Sequence, residues 1–193
     1  MKRFIFICMA LTGALATPAL AHTGVGQTSS FASGFAHPLH GVDHVVVMAA
    51  VGLWAVLAGG RSVWVWPMAF VATMLAGFAA ATLGLQMPFV EPAIASSIIA
   101  SGLFVALAVK APVWLGAAIT ALFAFFHGHA HGTEATAASL IPYAAGFVLA
   151  TAGLHAAGIG LGLLAGRSIG KLAVRAMGGL AVLGGIVLMA GLT

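Results

Sequence analysis

The stretch "VVVMAAVGLWAVLAG", residues 45–59, carries no charged side chain. It belongs to one of six apolar runs, which cover roughly 40–59, 63–85, 91–109, 112–131, 138–165 and 172–192. A helix needs about 20 apolar residues to cross the hydrocarbon core of a bilayer, and each run is close to that length. Period-2 alternation is absent, and lipid offers no water to an open backbone, so the runs read as helices. Composition agrees: 62% of the residues are hydrophobic and 5% charged, with a mean hydropathy of +1.16. A soluble domain carries about a quarter charged residues and could not cover its surface with so few. The expected fold class is all-α: a polytopic membrane protein with about six transmembrane helices after a cleaved signal peptide.

The signal peptide is expected at 1–21. Lys2 and Arg3 form a basic start, "FIFICMALTGALA" an apolar middle, and Ala19 to Ala21 a small-residue cleavage site. The remainder, 22–193, is then a six-helix transmembrane domain whose first residue is His22. The sole cysteine, Cys8, leaves with the signal, which removes disulfides, thiolate ligands and a cysteine nucleophile from the mature chain.

Turn-forming residues separate the runs: "AGGRS" at 58–62, "QMPFVEP" at 86–92, Lys110 to Pro112, "GTEAT" at 132–136 and "GRSIGK" at 166–171. Arg61 follows the first run, Lys110 the third, and Arg167, Lys171 and Arg175 the fifth; the alternate connections hold Glu91 and Glu134 instead. The positive-inside rule makes the basic side cytoplasmic. The expected location is a bacterial inner membrane, with both mature termini periplasmic. No basic stripe with interleaved aromatics exists, so nucleic acid is not an expected partner. Gly158, Gly162, Gly166 and Gly170 form a ladder at four-residue spacing, read as a close helix-packing face.

Against this apolar background the polar residues concentrate. "HPLHGVDH" (37–44) opens the first run, with Pro38 expected in the first helical turn. On a continuous helix His40 and His44 are i, i+4 and share a face with Asp43, and Met48 continues it one turn deeper. The fourth run ends "FHGHAHGTE" (126–134): His127, His131 and Glu134 line one face, while His129 points roughly the other way. The alternation of sides puts both clusters at the outer membrane level, where they can converge. Imidazole plus carboxylate without thiolate suits Ni²⁺, Co²⁺, Zn²⁺ or Cu²⁺, whereas Mg²⁺ and Ca²⁺ prefer all-oxygen sites. Asp43 can bind directly or hold a histidine ring in the right tautomer. His155, deep in the fifth run with Thr151 one turn before it, reads either as a stepping site for an ion moving inward or as a neutral histidine bonded to a neighbouring helix. Met48 reads more simply as core. His22, as a free N-terminal residue, could chelate a metal through its amine and ring.

"HPLHGVDHVVVMAAVG" (37–52) resembles the H-P-x-x-G-x-D-H-x-x-x-M-x-x-V-G signature of the HupE/UreJ proteins. "FHGHAHGTE" is similar to that family's second signature and "YAAGFVLATAGLHAAG" (143–158) to its third. The resemblance implies a membrane accessory protein of nickel hydrogenases or ureases, regarded as a nickel or cobalt permease. It implies transport roles for His37, Asp43, His44, His127, His131 and Glu134, and places Met48 on a signature position. His40 falls on an unspecified one. Nickel and cobalt uptake proteins of the energy-coupling type bind metal through an N-terminal amine and an early histidine, and His22 is similar in kind.

The expected function is a divalent-metal permease rather than an enzyme. Ni²⁺ is the first choice of transported ion, with Co²⁺, Zn²⁺ or Cu²⁺ as others; the lipid bilayer and hydrogenase or urease maturation proteins are the expected partners. The metal set is His37, His40, Asp43, His44, His127, His131, Glu134 and His22, with Met48, Thr151 and His155 along the route. A non-transporting metal-delivery protein is the alternative. An intramembrane metal hydrolase is a weaker one, because no H-E-x-x-H exists.

Overall fold

The structure, a computed structural model, describes residues 31–135, 140–168 and 170–190. The expected signal peptide and His22 lie outside these residues. Among the described residues the regular structure is entirely helical: α1 (Phe31–His40), α2 (Val42–Ala58), α3 (Ser62–Thr82), α4 (Val90–Ala106), α5 (Val113–Glu134), α6 (Leu140–Ser168) and α7 (Gly170–Met189). Helices α2 to α7 fall on the six apolar runs. Among the described residues, four stretches are long and apolar enough to cross a membrane: Ser62–Thr82, Val113–Glu134, Leu140–Ala165 and Leu172–Met189. α1 and α2 pass the same test as one bent pair, while α4, at 17 residues, is shorter.

Three local readings are corrected. The first run is not one helix from His37, because α1 precedes α2 and the two meet at 82° across Gly41. Gly41 has extended backbone angles, φ −83° and ψ 110°. A Cβ there would lie 2.7 Å from His44 Nδ1 and 2.8 Å from Asp43 Oδ1, so the two polar side chains occupy the space that glycine leaves. Glycine is also a poor helix former, which makes this the weak point of the run. Pro38, in turn, sits late in α1 and is buried, not in a first turn. The glycine ladder is shorter than its spacing suggests: Gly170 begins α7 with φ +79°.

Four close helix pairs build the bundle, each made possible by glycine. Cβ atoms at Gly77 of α3 or at Gly128 and Gly132 of α5 would run into the facing backbone carbonyls of Phe125, Met74 and Phe78. α6 packs as tightly on α1 and α2: Gly146 faces Phe31, Gly158 faces Ala49, and Gly52 of α2 faces the backbone of His155. Gly102 of α4 and Gly178 of α7 form the fourth pair. Backbones at such range gain dispersion contacts that lipid-facing side chains cannot supply. One core holds Val47, Met48, Val51, Phe70, Met74, Ile98, Ala124 and Phe147. A second core holds Trp54 and Trp66, whose indole N–H groups donate to the carbonyls of Val109 and Val113, each at 2.8 Å.

Candidate metal centre

Gly128 and Gly132 turn one face of α5 onto α3. Helical geometry then rotates His127 and His131, each one residue earlier, by about 100° onto a neighbouring face. That face meets the start of α2 and the end of α1. His44 Nε2 and His131 Nε2 lie 2.5 Å apart, although the residues are 87 positions distant in sequence. The other ring nitrogen of His131, Nδ1, is 3.8 Å from Glu134 Oε2. The same carboxylate oxygen is 3.4 Å from His37 Nε2. One ligand atom from each of His37, His131 and Glu134 falls within 4.8 Å of the others, a set that could hold a metal ion. His131 is the hub, with His37 and Glu134 on one side and His44 on the other.

The hydrogen bonds fix several tautomers, because a carboxylate or carbonyl oxygen only accepts. His44 Nδ1 donates to Asp43 Oδ1 at 2.8 Å, so its Nε2 presents a lone pair toward His131. The Ser97 hydroxyl donates to the Ile94 carbonyl at 2.6 Å. His127 Nε2, 3.0 Å from that hydroxyl oxygen, is therefore the donor, and its buried Nδ1 is left bare without a partner. His155 Nδ1 donates to the Thr151 carbonyl at 2.8 Å, and its buried Nε2 is likewise unpartnered. A ring N–H anchored to an acceptor, with the opposite lone pair exposed, is the usual arrangement of a metal-binding imidazole.

The imidazoles form a descending series. Ring centroids are 4.5 Å apart for His37 and His131, 4.5 Å for His131 and His44, and 4.9 Å for His44 and His127. Below His127 the Phe70 ring intervenes, 5.9 Å from His127 and 4.9 Å from His155. The Thr151 hydroxyl reaches the Met74 sulfur at 3.6 Å. Met48 is fully buried in the apolar core around Phe70.

Two histidines stand apart from the series. His40 is exposed and its Nδ1 donates to the Ala36 carbonyl at 2.8 Å. The break at Gly41 cancels the i, i+4 relation to His44 on which its place in the site rested. His40→Ala should therefore keep near-wild-type nickel binding and cost less than about 0.5 kcal/mol of stability, as exposed substitutions do; titration of the purified variant checks it. His129 does face away from His127 and His131. It is nonetheless buried, with Nε2 donating to the Leu85 carbonyl at 2.7 Å.

Three site residues escaped the sequence reading. Tyr143, the only tyrosine, is buried with its hydroxyl unpartnered and its ring 6.2 Å from that of His37. Ser97 and Phe70 are the others. Each is an ordinary membrane-helix residue by type, and only the packing of α3, α4 and α6 around α5 shows what it touches.

A model of the "HupE / UreJ protein" family matches residues 9–188. Among curated proteins, "Protein HupE" of Rhizobium leguminosarum bv. viciae is 44% identical over 153 residues, which cover 78% of this chain and 80% of that protein. No solved structure matches the chain. With its histidine-bearing helix ends joined around His131 and the family match running over nearly its whole length, the chain belongs to the HupE/UreJ family.

Proposed function

We propose that this protein is a divalent-metal permease that carries Ni²⁺ inward to supply hydrogenase or urease maturation. The observation that carries this reading is the apposition of His44 and His131, two buried imidazoles from separate helices with ring nitrogens 2.5 Å apart. Such a cluster is costly inside a bilayer protein unless it serves an ion or a proton. One proton shared between the two Nε2 atoms satisfies both rings, and a cation entering between them displaces it.

In this reading the ion arrives at the periplasmic end and exchanges water for His37, Glu134 and His131. It then passes to the opposite side of the His131 ring, where His44 receives it, its tautomer set by Asp43. Glu134 and Asp43 offset the positive charge. His127 is the next lone pair inward, and Phe70 separates it from His155. The ring must swing aside for an ion to pass, and its π face attracts a cation during that movement. Six spans, with the basic connections cytoplasmic, give the route its direction. The membrane potential supplies about 4 to 5 kcal/mol per 100 mV for a dication, at about 2.3 per charge.

Purified protein in proteoliposomes, given ⁶³Ni²⁺ outside and an inside-negative potential, should accumulate the label to a ratio that rises steeply with that potential, about tenfold for each 1.4 kcal/mol it supplies. Saturable binding without accumulation would replace the permease reading with that of a metal-delivery protein.

A further inference from the structure

The bundle end that carries the histidine site also forms an open cavity of about 490 Å³ between the α3–α4 connection, the start of α4 and the end of α5. Gln86, Glu91, His129, Thr133 and Glu134 supply its polar wall, and no lysine or arginine stands among the described residues of that wall. The chain has only three carboxylates. Two of them, Glu91 and Glu134, are in this wall, and the third, Asp43, belongs to the histidine site.

His129 gives the cavity a ligand as well as charge. Its bond to the Leu85 carbonyl forces the proton onto Nε2, so Nδ1 carries a lone pair. That atom is buried and unpartnered, in a side chain 3% exposed that forms part of the wall. This is the same anchored-imidazole pattern found in the central series, at a place outside it. Glu134 is common to both regions, since it lines the cavity and stands 3.4 Å from His37.

We propose that this cavity is an antechamber: it takes up the divalent transition-metal cation with most of its water shell before the ion reaches His37, His131 and His44. Six waters occupy roughly 180 Å³ at about 30 Å³ each, so a hydrated ion fits. His129 Nδ1 replaces one of those waters. Glu91 and Glu134 hold others and raise the local cation concentration. Glu134 then exchanges outer-sphere for direct contact as the ion moves on. The proposal rests on the permease reading for its place in a route, but as a binding site it is separable.

The test is equilibrium binding of ⁶³Ni²⁺ to the purified full-length protein, paired with initial uptake rates in proteoliposomes. His129→Gln is the informative variant. Its amide nitrogen can keep the bond to Leu85, while the imidazole lone pair is lost; Glu91→Gln removes charge and little volume. Wild type should show two classes of site. Both variants should weaken the weaker class at least about tenfold, as loss of a supporting ligand does. They should also raise the half-saturation of uptake with the maximal rate preserved. His44→Ala should remove the tighter class alone. A single class in wild type, or wild-type binding in both variants, overturns the antechamber even if transport is intact. Two classes without any uptake would keep the antechamber and overturn the permease.

Discussion

His131→Ala should abolish nickel uptake and weaken nickel binding by at least about 100-fold, more than any other single imidazole removal. Outer-shell changes around a metal typically cost about 10- to 100-fold, and His131 is not an outer-shell group in this geometry. Its Nε2 faces His44 and its Nδ1 faces Glu134, so its loss disconnects both halves of the site at once. His44→Ala should come close, since it removes the lone pair that Asp43 orients. Folding should survive in both. α5 is held to α3 through Gly128 and Gly132, which His131 does not touch in that role. Size-exclusion profiles and membrane insertion of the variants should match wild type, and a collapse of either would assign His131 to packing instead.

A change without any polar chemistry should be just as damaging. Gly128→Ala adds one methyl group where Met74 presents its backbone carbonyl, and a backbone atom cannot rotate away as a side-chain tip can. Overpacking of a tight interface costs about 1–3 kcal/mol and sometimes more. Here the helices must separate, which also moves His127 and His131 relative to α2. The variant should therefore lose thermal stability and nickel binding together. Gly153→Ala, on α6 with open space around its added carbon, is the matched control and should leave both unchanged. Equal melting behaviour for the two variants would show that the α3–α5 contact is looser than described.

Much of this architecture is legible from residue order alone. Apolar runs mark α2 to α7, and glycine or proline lies in the connections that follow α2, α3 and α4. The histidine clusters stand out because ionisable groups are rare here, and their i, i+4 spacing on α5 predicts the shared face of His127 and His131. The limits are equally physical. Helical periodicity is blind to Gly41, where an extended residue turns the chain by 82° and removes His40 from the cluster. Contacts between helices depend on which glycine faces which carbonyl, so Tyr143, Ser97 and Phe70 carry no local signal of their neighbours. His129 shows both sides. The helical wheel places it correctly away from the cluster, but only the α3–α4 connection, folding Leu85 over it, shows that it is buried.

The central claim is that one cation sits between two segments far apart in the chain. Anomalous diffraction at the nickel edge, from crystals of the metal-loaded protein, addresses it most directly. The account predicts a peak about 2 Å from imidazole nitrogens, with at least one ligand from His37 or His44 and at least one from His131 or Glu134. Peaks bound by one of these segments alone, with none shared between the two, would contradict it.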